Sequence, residues 1–176
     1  MNRPDELAAA PAGAREVVTP SWRLTVPAHV TAESPLIAVP TIHPRGDRRV
    51  IRCAQDALNA GFRVRFIWLG ADDQPATDPA ASEVILPKAR SLRQRLGVIP
   101  KLAKIAAAEP ADLWHIHDLY LLPSAKRWHR RTGRNVLYDV HEYYGLVYAE
   151  RLGIGGAPGR WLNRAVNRYQ VRAARR

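Results

Sequence analysis

Titratable side chains follow three apolar runs of the sequence, at the point where each run ends. His43 follows the first of these runs, His117 and Asp118 follow the second, and His141 and Glu142 follow the third. Imidazole and carboxylate groups can bind a ligand through hydrogen bonds or hold a divalent metal ion. If the runs are parallel strands of one sheet, their carboxyl ends meet at one edge, which is where such sheets bind ligands. These five residues are therefore the candidate site.

A metal centre is a second interpretation of the same residues. The pattern His115-x-His117-Asp118, with His141 and Glu142, contains the residue types of a divalent-metal site and predicts a metal-dependent hydrolase as an alternative function. Such a site usually takes further ligands from later strands, and no later strand is predicted. Two structural roles are also open, because His115 can be packed in the core and Asp118 can cap the helix that follows.

The elements that must position these residues alternate between strands and helices. Apolar runs predict five strands, at 35–40, 63–69, 83–86, 112–117 and 135–140. Helices are predicted from the Asp47 cap to Asn59, as two short helices between 88 and 108, from 121 to 131 before Gly133, and from 160 to 176. This alternation predicts a Rossmann-like α/β fold, a three-layer α/β/α arrangement with a mainly parallel sheet.

The composition limits the cellular compartments and the classes of partner that we expect. The 176 residues are 47% hydrophobic and 24% charged, which is typical of a folded domain. The single cysteine, Cys53, excludes an internal disulfide, and no run approaches the roughly 20 apolar residues that span a bilayer. We therefore expect a cytoplasmic protein. The formal net charge of +11 predicts partners that carry phosphate groups.

Positive charge is concentrated in two segments. Six basic residues and no acidic residue lie between 84 and 108, and seven arginines and no acidic residue lie beyond 150. We predict that Arg90, Arg93, Lys101 and Lys104 contact anions, in particular lipid headgroups at the inner face of the cell membrane. The alternatives are a solvated basic surface and a nucleic-acid binder. No nucleic-acid-binding motif accompanies the charge, so nucleic acid is not expected as a partner.

Three segments together resemble the N-terminal domain of family-4 glycosyltransferases. They are residues 43–61 (HPRGDRRVIRCAQDALNAG), 111–118 (ADLWHIHD) and 136–142 (VLYDVHE), in this order on alternating strands and helices. The resemblance covers residues 35–176 and implies a GT-B architecture, in which two Rossmann-like domains face a cleft. It also implies retaining transfer from a nucleotide sugar as the donor substrate, without a cofactor or an essential metal, to an acceptor held mainly by the N-terminal domain.

The resemblance further implies roles for the candidate residues. His117 would approach the transferring sugar as the catalytic residue and donate a hydrogen bond to a hydroxyl. His43 and Gly46 would line the cleft, and Gly46 would let the backbone approach the acceptor or the donor diphosphate. Many relatives carry two adjacent glycines there, and this chain has one. His141 and Glu142 would shape the acceptor pocket.

These inferences divide the chain into three parts. We expect a flexible leader over 1–33 with a short extended piece at Trp22–Val26, a Rossmann-like acceptor-side domain over 34–158, and a basic amphipathic helix over 159–176. A donor-binding domain is not expected within this length, so the domain would need a donor-binding half, which a second chain can supply. The expected acceptor is a saccharide or a lipid-linked molecule.

Overall fold

The computed structural model describes residues 12–70, 74–88, 92–140 and 144–174, which form a two-stranded hairpin, a five-stranded sheet and helices on both faces. The strands are β1 (Arg15–Val18), β2 (Arg23–Val26), β3 (Leu36–Pro44), β4 (Arg63–Gly70), β5 (Ala81–Pro87), β6 (Leu113–Ile116) and β7 (Asn135–Tyr138). The helices are α1 (Arg48–Asn59), α2 (Leu92–Ala108), α3 (Leu122–Thr132), α4 (Tyr144–Arg151) and α5 (Gly156–Ala174).

The large sheet has the order β5-β4-β3-β6-β7, and every neighbouring pair of strands is parallel. Parallel neighbours require crossover connections, and α1, α2 and α3 lie in three of the four connections between successive strands of this sheet. The predicted Rossmann-like fold with three layers is confirmed. The first strand of the sheet is longer than predicted, because β3 continues past Pro40 to Pro44 with a shift in its register against β4.

Side-chain alternation divides the core between the two faces of the sheet. On β4, Val64, Phe66 and Trp68 pack with α1, while Ile67 packs on the opposite face with α2 and α3. Strands buried on both faces read as continuous apolar runs, which is why β4 was visible in the sequence. One outer layer therefore consists of α1 and the hairpin, and the other contains α2, α3 and α5.

The N-terminal hairpin differs from the flexible leader expected over 1–33. β1 and β2 pair antiparallel, and Trp22, Leu24, Val26 and Val30 are buried in the same core cluster as α1. The ring centroid of Trp22 lies 5.4 Å from that of Phe66 on β4. Strands of four residues among Pro, Ala and Gly carry little periodic signal, so this burial is visible only in the fold.

Helix ends follow the capping residues that the sequence offers. The Asp47 carboxylate accepts from the N–H groups of Arg49 (2.9 Å) and Val50 (3.5 Å), which begins α1 as predicted. Helix α3 ends at Gly133, whose φ of 70° is the left-handed conformation predicted for this stop.

One helical prediction was wrong, and one helix was not predicted. The segment predicted as two short helices is one helix, α2, with Pro100 in its interior. The proline removes one backbone hydrogen bond, but Leu102, Ala103 and Ala106 are buried against the sheet and hold the helix in place. Helix α4 was not predicted, because its eight residues are too few to show a clear period. Among the described residues, no helix combines the length and the apolar character needed to cross a bilayer.

Candidate functional site

The strand order reverses between β3 and β6. From β3 the chain proceeds outward through β4 to β5 and then returns to the other side of β3 as β6. The segments that follow β3 and β6 therefore diverge and leave a crevice at the carboxyl edge of the sheet, which is where open α/β sheets bind ligands. We call the residues at this edge the rim. His43, His117 and Asp118 all belong to the rim, as the sequence predicted for their strand ends.

Asp118 joins the two sides of the crevice. Its Oδ2 accepts from the Thr41 hydroxyl at 3.0 Å and from the Ile42 N–H at 2.9 Å, and the residue is 2% exposed. The Asp118 side chain forms no cap hydrogen bond to the 3-10 turn that follows it. The capping role considered from the sequence is therefore wrong, and the carboxylate instead fixes the end of β3.

His43 lies between two carboxylates. Its Nδ1 is 3.6 Å from Oδ2 of Asp47, its Nε2 is 3.7 Å from Oδ1 of Asp118, and 15% of the side chain is exposed. Burial by itself would raise the pKa of Asp47, but the N–H groups of Arg49 and Val50 and the nearby basic groups hold that pKa below its ordinary value. An ionised Asp47 and a buried Asp118 thus flank an imidazole that reaches the surface of the rim.

His115 and His117 lie on the α1 face of β6, as strand alternation predicted. Their ring centroids are 4.3 Å apart, and Trp114 and Ile116 point to the opposite face. His117 is fully buried, with its Nδ1 3.3 Å from Oδ2 of Asp139, which is 34% exposed. Of the two rim histidines that the structure describes, His43 therefore reaches solvent and His117 does not.

Helices α4 and α5 support the rim from behind. The Tyr144 hydroxyl donates to the backbone carbonyl of His117 at 3.1 Å, and the Gln170 amide donates to the Tyr138 hydroxyl at 2.9 Å. Burial raises the pKa of Tyr138, so its hydroxyl stays protonated at neutral pH. These residues and Asp139 were missed in the sequence. A polar residue at a strand end was the signal for Asp139, whereas Tyr144 lies in the helix that was not predicted.

A comparison with protein-family models matches residues 46–176 to the family described as Glycosyltransferase Family 4. The match spans well over half of the chain. The chain belongs to Glycosyltransferase Family 4. Among curated proteins and among solved structures, no match to the chain was found.

The matched region of this family-4 chain contains α1, the strands β6 and β7, and the helices of the opposite face. The hairpin and β3 with His43 precede it. The family assignment confirms the resemblance drawn from the three segments. It also favours a glycosyltransferase over the metal-dependent hydrolase and the nucleic-acid binder that the sequence left as alternatives.

The loop between β3 and α1 of this family-4 chain is held by a buried ion pair. Arg45 contacts Glu83 with N–O distances of 2.6 and 3.0 Å, and the two side chains are 4% and 0% exposed. Glu83 also accepts from the Trp22 indole N–H at 2.7 Å and from the Ala76 N–H at 2.9 Å. The hairpin, the loop and β5 are thereby joined, and the Arg45 guanidinium is occupied within the protein.

Gly46 is required by the hairpin. Its φ is 82°, and a Cβ at this position would collide with the backbone carbonyl of Ser21. Because Gly46 has no side chain, backbone can approach it closely, and in this structure the hairpin makes that approach. The predicted approach of an acceptor or a diphosphate to Gly46 stays a prediction.

Several predicted contact residues fall outside what the structure describes. His141, Glu142 and Arg90 are outside the described residues, and the side chain of Arg93 in α2 is likewise not described. Lys101 and Lys104 are exposed on α2. The placement of His141 and Glu142 in an acceptor pocket stays a prediction.

The outer face formed by α2, α3 and α5 is basic. Each of the three helices contains four Lys or Arg residues, and none contains Asp or Glu. A groove of about 1100 Å³ separates α3 from α5, and its walls include the exposed Trp161 and Tyr169. Five cations line this groove: Lys126, Arg130, Arg164, Arg168 and Arg172. Within the described parts of the chain, none of the five forms an ion pair. Lys104, Arg127 and Arg131 line a second groove, between α2 and α3.

Proposed function

We propose that this domain binds the acceptor of a glycosyl transfer reaction in the crevice between the segments that follow β3 and β6. The reaction is transfer of a sugar from a nucleotide sugar to a saccharide or a lipid-linked acceptor. The observation that carries the proposal is the His43 imidazole, which reaches solvent at the switch point with 15% of its side chain exposed and is flanked by Asp47 and Asp118. Under this proposal the nucleotide sugar binds to a second domain of a GT-B pair.

The chemistry of the rim favours hydroxyl groups over phosphate groups. The partly exposed Asp47 carboxylate beside His43 offers a hydrogen-bond acceptor to a sugar hydroxyl, and the ring itself can donate or accept. Carboxylates repel phosphate, the arginine of the loop, Arg45, is buried against Glu83, and Arg49 lies beside the Asp47 carboxylate at 3.9 Å. These features support an acceptor site here and a donor diphosphate bound elsewhere.

His117 takes a positioning role in this proposal. It is the fully buried histidine of the rim, and Asp139 at 3.3 Å from its Nδ1 orients the ring. In the assembled transferase, His117→Asn is expected to lower turnover more than acceptor affinity, whereas His43→Ala weakens acceptor binding. Equal and unchanged turnover in both variants would contradict the assignment of these residues.

Acceptor binding can be tested on the chain itself by saturation-transfer NMR with a panel of free saccharides and lipid-linked saccharides. We expect at least one acceptor class to bind, and His43→Ala to weaken it about tenfold, which corresponds to one hydrogen bond. The control is His129→Ala, which removes an exposed histidine on α3 whose Nδ1 lies 2.9 Å from the Arg134 carbonyl oxygen. Binding that His43→Ala leaves intact, or that the control weakens equally, contradicts the proposal.

We further propose that the basic face formed by α2, α3 and α5 attaches the domain to an anionic membrane surface, at the inner face of the cell membrane. What supports this is one outer layer of three helices without a single acidic residue. Anionic lipid headgroups attract basic residues, and each basic residue near the surface contributes about 1 kcal/mol to membrane binding. The exposed Trp161 adds an amphipathic ring of the kind found at membrane interfaces.

Vesicle sedimentation distinguishes a basic face that binds membranes from one that only contacts solvent. Replacing Arg164, Arg168 and Arg172 by Glu should lower partition onto anionic vesicles about 100-fold or more, and high salt should do the same to the unmodified chain. The matched control replaces three cations of the α1 and hairpin layer, Arg23, Arg48 and Arg52, by Glu. Equal binding to neutral vesicles, or equal loss in the control, would show that the basic face is not a membrane surface.

A further inference from the structure

The single cysteine of the chain lies beside a histidine and a carboxylate on the α1 side of the sheet. The Cys53 sulfur, a ring nitrogen of His115 and a carboxylate oxygen of Asp139 lie within 4.8 Å of one another. The three residues come from α1, from β6 and from the position directly after β7. Residues distant in sequence are thus brought together by the sheet order and by the packing of α1 over β6.

Thiolate, imidazole and carboxylate are the ligand types of zinc sites in proteins. Zinc bonds of about 2.0–2.3 Å place tetrahedral ligand atoms roughly 3.3–3.8 Å apart. The observed separations are at most 4.8 Å. The upper limit exceeds that geometry by about 1 Å. Cys53 is partly exposed on the surface of α1 and Asp139 ends its strand, so rotation of these two side chains can close the difference while His115 stays in the sheet.

We propose that Cys53, His115 and Asp139 form a binding site for one zinc ion, with its fourth position open to water. This proposal does not rest on the function proposed above. The connection of the site to the rim is Asp139, which also lies 3.3 Å from Nδ1 of His117. A bound zinc ion would tie α1 to β6 and β7 and would fix the carboxylate that orients His117.

The metal-free, untagged chain loaded with Co²⁺ provides the direct test. We expect one metal ion per chain and an absorption band from thiolate-to-cobalt charge transfer. Cys53→Ser should abolish the band, and both Cys53→Ser and Asp139→Asn should weaken Zn²⁺ binding about tenfold or more. Asp56→Asn is the matched control, because it removes a carboxylate on the same helix three residues after Cys53 and should leave Zn²⁺ affinity unchanged.

A second measurement needs no substitution and so does not depend on how the variants fold. Zn²⁺ should slow alkylation of Cys53 in the unmodified chain about tenfold, because a ligated thiolate is not free to react. Absence of the charge-transfer band, alkylation at an unchanged rate, or Zn²⁺ affinity equal in Cys53→Ser and the unmodified chain would each overturn the proposal.

Discussion

A single buried carboxylate organises the rim at the scale of residues. Asp118 accepts hydrogen bonds from the Thr41 hydroxyl and the Ile42 N–H and faces His43 with its other oxygen. Burial of a carboxylate is unfavourable unless donors replace its water. Here the donors belong to the strand on the other side of the crevice, so satisfying Asp118 also fixes the shape of the site.

Removing this carboxylate should destabilise the domain measurably. Asp118→Ala leaves two buried donors without an acceptor and is expected to lower the free energy of unfolding by about 2–3 kcal/mol, whereas Asp118→Asn keeps one acceptor oxygen and should lower it less. Urea unfolding followed by tryptophan fluorescence measures both. Asp112→Ala is the control: this exposed carboxylate accepts only the Leu36 N–H, at 2.8 Å, and its loss should change stability by about 1 kcal/mol. Equal losses at 118 and 112 would refute the organising role.

At the scale of elements, the hairpin and the loop after β3 behave as one unit. Arg45 and Glu83 are buried together, and the indole of Trp22 donates to the same carboxylate. Gly46 lies directly against the backbone of Ser21. The N-terminal hairpin is therefore part of the support of the rim and not an appendage to it.

Glu83→Gln should be far more destabilising than the same change in an exposed pair. It leaves the Arg45 charge buried without its counter-ion, for which we expect a loss of about 3–5 kcal/mol in unfolding free energy. The comparison is Glu109→Gln, whose partner Arg65 is 38% exposed and whose loss should be at most about 1 kcal/mol. Thermal or urea unfolding of the two variants decides between these magnitudes, and a small loss for Glu83→Gln would contradict them.

Gly46→Ala and Gly133→Ala separate steric contact from backbone conformation. Both glycines have positive φ, 82° and 70°, but only Gly46 has backbone where a Cβ would stand, while nothing lies within 4 Å of a Cβ at Gly133. Gly133→Ala should therefore lower the free energy of unfolding by about 1–2 kcal/mol, the conformational term alone. Gly46→Ala should lower it more, because the hairpin must also shift. Similar losses in the two variants would mean that the hairpin contact is weak.

The whole molecule distributes its charges unequally. The described helices of one outer layer carry only cations, while the ion pairs and buried carboxylates lie mainly on the hairpin, the α1 side and the rim, with the Arg65–Glu109 pair at the end of α2 as an exception. Acid should therefore act first on the side of the molecule that uses carboxylates as structural partners. The Arg15–Asp78 pair joins β1 to the loop before β5. For this pair the direction in which stability changes with pH can be stated.

Stability at this pair should depend on pH below neutrality. Burial alone would raise the pKa of Asp78, but the Arg15 guanidinium and the Ala80 N–H outweigh it and hold that pKa below its ordinary value of 3.8. A depressed pKa in the folded state means stabilisation that is present above 3.8 and lost as the pH falls through the folded value. Asp78→Asn should thus be less stable than the unmodified chain at pH 7 and equal to it in strong acid. Unfolding curves at both pH values test this, and a difference that persists in acid would assign the stabilisation to something other than the charge.

The sequence by itself determined the strands, most helices and the family. Runs buried on both faces, the Asp47 cap and Gly133 are local signals, and each depends on the chemistry of a few neighbouring residues. The same local logic identified His43, His117 and Asp118 as strand-end residues. It indicated only the extended piece at Trp22–Val26 of the hairpin and overlooked β1 and α4, whose short lengths carry too little periodicity, and it divided α2 at a proline that tertiary packing tolerates.

Only the tertiary structure decided which of these residues reach one another and which reach solvent. Placing β6 beside β3 brings Asp118 to Thr41 and His43, across more than seventy residues of chain. The packing of α1 and the sheet order likewise assemble Cys53, His115 and Asp139, and bury His117 while leaving His43 partly exposed. Such contacts are fixed by strand order and layer packing, which no local pattern encodes. The sequence therefore identifies the polar residues of the rim, and the fold alone assigns each one a partner.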